Sequence, residues 1–139
     1  MNPYLTFPGT AEEAFTFYKS VFGGDFLDVN RFKEVPDTDK IPADAMEKIM
    51  HIALPIGNGN ILMASDAPAS MGFNLTTGNN FHISVQVDSR EEADRVYAGL
   101  SEGGTIEVPL ADTFWGAYYG SFTDKFSIGW MVSYEKPKG

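Results

Sequence analysis

The only imidazoles in this chain are His51 and His82, and with no cysteine present they are the side chains that ordinarily titrate near neutral pH. Each suits a general base beside a carbonyl, or a hydrogen bond to a bound molecule. Each equally suits a structural place satisfied by backbone, and residue type alone leaves these roles open. His51 stands in Met50-His51-Ile52-Ala53-Leu54, which puts it on the strand face opposite Met50 and Ile52. Met63 and Ser65, and again Met131 and Ser133, are two apart on strand-like runs, so each pair shares a face. Methionine there is either ordinary core or an adaptable lining for a ligand pocket. Trp115 and Tyr118, within Trp115-Gly116-Ala117-Tyr118-Tyr119-Gly120, offer flat stacking faces with polar tips, for a ligand or for core and dimer packing. No Ser-His-Asp order, phosphate-cradling glycine loop or dinucleotide fingerprint is present.

The elements that must position these residues are announced by a partial repeat. Thr10-Ala11-Glu12-Glu13-Ala14 leads through Phe17 and Tyr18 to Gly23-Gly24; Ser89-Arg90-Glu91-Glu92-Ala93 leads through Val96 and Tyr97 to Gly103-Gly104. Thr10 with Glu13, and Ser89 with Glu92, have the spacing of capping boxes. Ala14, Phe17, Tyr18, Val21 and Phe22 form an apolar helical stripe, and Ala93, Val96, Tyr97 and Leu100 a narrower one. The glycine pairs read as helix stops. A strand-like stretch precedes each helix (Tyr4 to Phe7, and Phe81 to Val87).

Beyond the first helix, Asp25 to Val35 reads as a strand ending at Pro36, and Pro36 to Lys48 as an acidic loop with a short helical turn from Pro42. Asp37, Asp39, Asp44 and Glu47 in that loop form a solvated face or a lid over a cleft. Met50 to Leu54 and Ile61 to Ser65 are strands joined at Gly57-Asn58-Gly59, a hairpin turn. After the helix of the second block come Thr105 to Val108 (ending at Pro109), Ala117 to Thr123 and Ile128 to Tyr134, with Asp124 to Ser127 as a hairpin turn that Asp124 fixes. Each half thus reads β-α-β-β-β: module one over about residues 1–67, a turn-rich linker over about 68–79, and module two over about 80–135, within a single domain.

Composition narrows the function class. A net charge of −9 without a basic run argues against nucleic-acid binding. The lack of cysteine excludes disulfides, thiolate zinc sites and cysteine nucleophiles. No run approaches the ~20 apolar residues of a membrane span, and the N-terminus does not read as a secretory signal, so a soluble, cytoplasmic protein with no membrane partner is expected.

Pro3-Tyr4-Leu5-Thr6-Phe7, the Ala14–Tyr18 helix with Phe22-Gly23-Gly24, Met50-His51-Ile52, Leu62-Met63-Ala64-Ser65-Asp66, Phe114 to Gly120, Thr123-Asp124-Lys125-Phe126 and Trp130-Met131-Val132-Ser133 stand in the order seen in PhnB-like proteins. Over nearly its whole length the chain resembles this branch of the vicinal oxygen chelate superfamily, alongside glyoxalase I, the bleomycin resistance proteins and the extradiol dioxygenases. The resemblance implies an α+β fold of two tandem βαβββ modules, forming curved mixed sheets around a cleft, and a homodimer.

In metal-dependent members each module gives one ligand from its first strand and one from its last. Carried over, those positions fall on His82 and Met131 in module two, and on Met63 and either Asn2 or Pro3 in module one. One imidazole with two thioethers does not suit a hard divalent ion, so no metal ligand is assigned and no cofactor is expected. The resulting expectation is a protein that captures an unidentified small molecule against Met63, Met131, Ser65, Ser133, Trp115, Tyr118 and His82. One alternative is a lyase, isomerase or dioxygenase-like enzyme of the same superfamily, with His82 or His51 as base or with a non-standard metal site. Another is a structural dimerisation domain.

Overall fold

The computed structural model describes residues 2–36, 39–57 and 59–135. They fall into two compact units, Met1–Thr76 and Thr77–Gly139. Unit one runs β1 (Tyr4–Phe7), α1 (Ala11–Phe22), β2 (Asp28–Arg31), β3 (Ile49–Gly57) and β4 (Asn60–Asp66). Short 3-10 turns at Phe32–Glu34, Ala43–Ala45 and Ala69–Met71 complete it. Unit two runs β5 (Ile83–Gln86), α2 (Arg90–Ser101), β6 (Thr105–Asp112), β7 (Ala117–Thr123) and β8 (Gly129–Glu135). The sheet orders are β1-β4-β3-β2 and β5-β8-β7-β6, with the first and last strands of each unit parallel and the rest antiparallel. The βαβββ repeat read from the sequence is therefore the architecture. Among the described residues no helix is long and apolar enough to cross a membrane.

Each helix covers one face of its own sheet. Against α1 lie Leu5, Phe7, Ile52, Leu54, Leu62 and Ala64, all buried, meeting Ala14, Phe15, Tyr18 and Val21 of the helix. Phe15 occupies the centre of that stripe, edge-on to Phe7 at 6.3 Å and to Tyr18 at 5.6 Å. Phe17 and Phe22, assigned to the stripe from sequence, are only half-buried at its margins. In unit two, Ala93, Val96 and Leu100 of α2 bury against Val85, Phe122, Trp130 and Val132. Strand periodicity then turns the alternate residues to the opposite, open face of each sheet.

The two helix starts differ, which corrects the paired capping boxes. Thr10 makes no side-chain cap. Instead the buried Asp66, at the end of β4, accepts from Ala11 N at 2.9 Å through Oδ1 and from Ile49 N at 2.9 Å through Oδ2. A full carboxylate charge at the helix N-terminus outcompetes a hydroxyl. In unit two the equivalent β8 position is Tyr134, three beyond Met131 as Asp66 is three beyond Met63. With no carboxylate there, Ser89 Oγ caps Glu92 N at 3.1 Å. The other half of that box is absent too, because the Glu92 carboxylate turns to Arg95.

Two strands depart from the sequence reading. β2 is shorter than the Asp25 to Val35 run: its register shifts between Asn30 and Arg31, and Arg31 is drawn away to Glu12 and to the Glu47 carbonyl. Glu47 also pairs with Lys33 at 2.8 Å, so within the acidic loop it is committed and not merely solvated; Asp37 lies outside the described residues. β6 continues past Pro109 to Asp112, with register shifts between Ile106 and Val108 and between Val108 and Ala111. A proline is tolerated because β6 is an edge strand. Asp112 pairs with Arg90 at 2.8 Å.

The β7–β8 turn is built as expected. Buried Asp124 accepts from Phe126 N (2.8 Å), Ile128 N (3.0 Å) and Trp130 Nε1 (2.8 Å), and Trp130 is fully buried. Ser127 takes φ 71°, the left-handed region. Replacing Ser127 with glycine should raise unfolding stability by about 1 kcal/mol in urea titration, since an L-residue is disfavoured there by ~1–2 kcal/mol. Asp66→Ala should lower it by roughly 2–4 kcal/mol, because two buried N–H groups lose a charged acceptor. Asp112→Ala, at an exposed pair, is the control and should leave the urea midpoint essentially unchanged.

Candidate functional site

The open face of unit two carries the more developed polar group. β5 pairs with β8 so that Ser84 lies beside Met131 and Gln86 beside Ser133; β8 pairs with β7 so that Met131 faces Ser121 and Ser133 faces Tyr119. These residues share one face, and His82, immediately before β5, extends it. His82 and Glu107 of β6 meet over the intervening β8 and β7, with His82 Nε2 2.7 Å from Glu107 Oε1. Thr123 Oγ1 donates to the other carboxylate oxygen at 3.1 Å. The crossing is allowed by Gly129 of β8: a Cβ there would sit 3.0 Å from His82 Cδ2 and 2.9 Å from the Phe81 carbonyl oxygen. The His82 hydrogen bond, aided by Thr123, holds the Glu107 carboxyl below the usual carboxylate range. The pair is partly open to solvent, with side-chain exposures of 24% and 35%.

Unit one builds a related pair on its own open face. Asp28 of β2 faces Ala53 of β3, and Asn30 faces His51. His51 Nδ1 lies 2.9 Å from Asp28 Oδ2, and Asn30 Nδ2 donates to Asp28 Oδ1 at 2.8 Å. Tyr4 places its ring 6.1 Å from that of His51. Tyr4 also pairs with Met63, which pairs with Ala53, so Met63 and Ser65 belong to this face. In both units a second-strand carboxylate grips one imidazole nitrogen. A carboxylate-held imidazole can accept a proton or a hydrogen bond through its other nitrogen.

The structure thus gathers His82, Met131 and Ser133 on the open face of unit two, and His51, Met63 and Ser65 on that of unit one. It separates Tyr118 from them. Tyr118 points to the helix side, its hydroxyl donating to Asp94 at 2.5 Å and its ring lying 3.9 Å beneath the Arg90 guanidinium. That hydrogen bond is the main reason the phenol is pushed up. Its neighbour Tyr119 takes the open face, and Trp115, in the β6–β7 connection and 61% exposed, reaches Tyr119 at 6.2 Å between centroids. Sequence reasoning missed Asp28, Asn30, Glu107, Thr123 and Gly129. Only alternation along β2 and β6 could have pointed to the carboxylates, and the irregular registers of both strands obscure it.

The register also resolves the first-strand ligand position left between Asn2 and Pro3. Tyr4 beside Met63 corresponds to Ser84 beside Met131, so Asn2 corresponds to His82. Asn2 Oδ1 accepts from Ile61 N at 2.9 Å. The carried-over positions therefore hold a carboxamide, an imidazole and two thioethers, a donor set that does not fit a hard divalent ion. Among the described residues no group of three or more His, Asp or Glu is arranged to hold a metal.

Because Glu107 is depressed in the folded state, its contribution to stability is present above the ordinary carboxylate range and is lost as pH falls through its folded value. Glu107→Gln should therefore destabilise the protein at neutral pH by a few tenths to about 1 kcal/mol, given partial exposure. Urea midpoints should converge as pH falls below the folded value of Glu107. A gap that widens on acidification contradicts this assignment.

Residues 1–132 match the Glyoxalase/Bleomycin resistance protein/Dioxygenase superfamily. Protein YjdN of Escherichia coli (strain K12) is 26% identical over 144 residues, covering 98% of this chain and 95% of its own. The crystal structure of protein PA1353 from Pseudomonas aeruginosa superposes with a TM-score of 0.86 at 39% identity, covering 99% of this chain and 98% of that one. A PhnB protein from Bacillus cereus shares the fold at a TM-score of 0.74 and 24% identity, over 96% and 98% of the two chains. The chain belongs to the glyoxalase/bleomycin resistance/dioxygenase superfamily, and its fold is that of the PhnB-like vicinal oxygen chelate proteins.

Proposed function

We propose that this chain binds a small organic molecule on the open face of unit two, without the divalent metal of its superfamily. One observation carries the reading: Met131 stands at a metal-ligand position while His82, the matching imidazole, spends Nε2 on Glu107 at 2.7 Å. A thioether supplies adaptable apolar contact where a hard ion would need oxygen or nitrogen. Ser84 beside it and Tyr119 on the same face supply polar handles, the mix expected of a ligand surface. With a net charge of −9, the long-range field favours an aromatic or amphipathic cation over an anion.

A second reading is supported by the carboxylate-held imidazoles themselves. His82 or His51 would act as general base on a proton next to a carbonyl, and removing such a base typically costs about 10²–10⁴-fold in rate.

The test begins with protein purified without chelator or affinity-tag metal. Metal far below stoichiometry is expected in wild type and in His82→Ala. Thermal-shift screening with cationic and anionic aromatic compounds should favour the cations, and His82→Ala should weaken binding by about tenfold, a loss near 1.4 kcal/mol. Near-stoichiometric metal in wild type that disappears in His82→Ala would overturn the proposal. Turnover that falls at least a hundredfold in the same variant would favour the enzyme.

A further inference from the structure

We infer that Gly129 is a positioning residue: it lets Glu107 fix the His82 ring with Nδ1 as the free acceptor, so the site takes ligands that donate a hydrogen bond and rejects oxyanions. The inference rests on the binding reading of unit two's open face and names the ligand class for it.

Gly129 is not there for backbone freedom, since it is absent from the positive-φ residues of the described chain. Clearance is the remaining reason. An added Cβ would lie 2.9 Å from the Phe81 carbonyl oxygen, 3.0 Å from His82 Cδ2 and 3.1 Å from His82 Cγ. The first of these neighbours is backbone and cannot swing aside, so an alanine must displace the ring or the strand.

Cγ and Cδ2 are the imidazole atoms that a Cβ at Gly129 would crowd. Nε2 meets Glu107 Oε1 at 2.7 Å, and Thr123 Oγ1 holds Oε2 at 3.1 Å. An ionised carboxylate only accepts, so Nε2 must carry the hydrogen. The neutral ring then keeps its lone pair on Nδ1. A hydroxyl or amine finds an acceptor there. An oxyanion finds a lone pair, with the Glu107 charge just behind it.

The experiment is NMR of histidine-15N-labelled protein above neutral pH, using phenol and benzoate as probes that differ in donating a proton or carrying an oxyanion. In wild type the His82 Nε2 proton should appear as its own downfield resonance, with Nδ1 showing the shift of an unprotonated nitrogen. Gly129→Ala and Glu107→Ala should each lose that proton to solvent exchange. Glu107→Ala leaves the β8 backbone untouched and, should Gly129→Ala fail to fold, still decides whether the Glu107 bond fixes the ring with Nδ1 as acceptor. Protonated Nδ1 in wild type, or an unchanged Nε2 proton in a folded Gly129→Ala or in Glu107→Ala, would overturn the positioning role. Phenol should shift Nδ1 and benzoate should not; equal response to both would overturn the ligand class. A fixed ring that responds to neither probe would sink the binding reading and its ligand class while upholding the role of Gly129.

Discussion

Parallel strands cannot be joined by a tight turn, so pairing β1 with β4 and β5 with β8 obliges everything between them to act as a crossover. That constraint organises each unit. The helix of the crossover must lie on one face of the sheet, and the two intervening strands must add outward from the last. One face is thereby sealed with Phe7, Phe15 and Tyr18, or with Phe122, Trp130 and Leu100. The other is left for residues that the core does not need. Side-chain chemistry on that second face is free to vary because the parallel pair, not the open surface, holds the sheet in register.

Four carboxylates divide by burial into two kinds of work. Asp66 and Asp124 are each only 3% exposed, and they accept from backbone N–H groups and from the Trp130 indole. They tie element ends together. Asp28 and Glu107 sit on open faces and grip imidazoles instead. The same functional group thus serves as a strut where it is sealed and as an orienting arm where its partner is open to solvent.

The repeat, both helices and the hairpins were legible because glycine pairs, capping residues and period-2 alternation are local signals. Ser89 could be read as a cap, and was one. Thr10 could not be told from it, since the competitor Asp66 arrives from a strand 55 residues away. Phe15 was overlooked in favour of Phe17 because both fit a helical stripe within one turn. Strand geometry alone gave each methionine–serine pair a shared face, and left open which face of the sheet that is. Tyr118 was preferred to Tyr119 without any local basis, since the facing of β7 depends on its pairing with β8. Glu107 was invisible because the β6 register shifts near it, and an irregular strand defeats alternation as a guide.

The same irregularity protects the molecule in another way. A straight edge strand offers a row of unsatisfied donors and acceptors to any stray chain, and apolar side chains along it invite aggregation. β6 is an edge strand with Ile106 and Val108 respectively 46% and 43% exposed. Its two register shifts break the row, and Pro109 removes a donor from it. A template for β-addition is spoiled at the place where its hydrophobic surface would otherwise make it most adhesive.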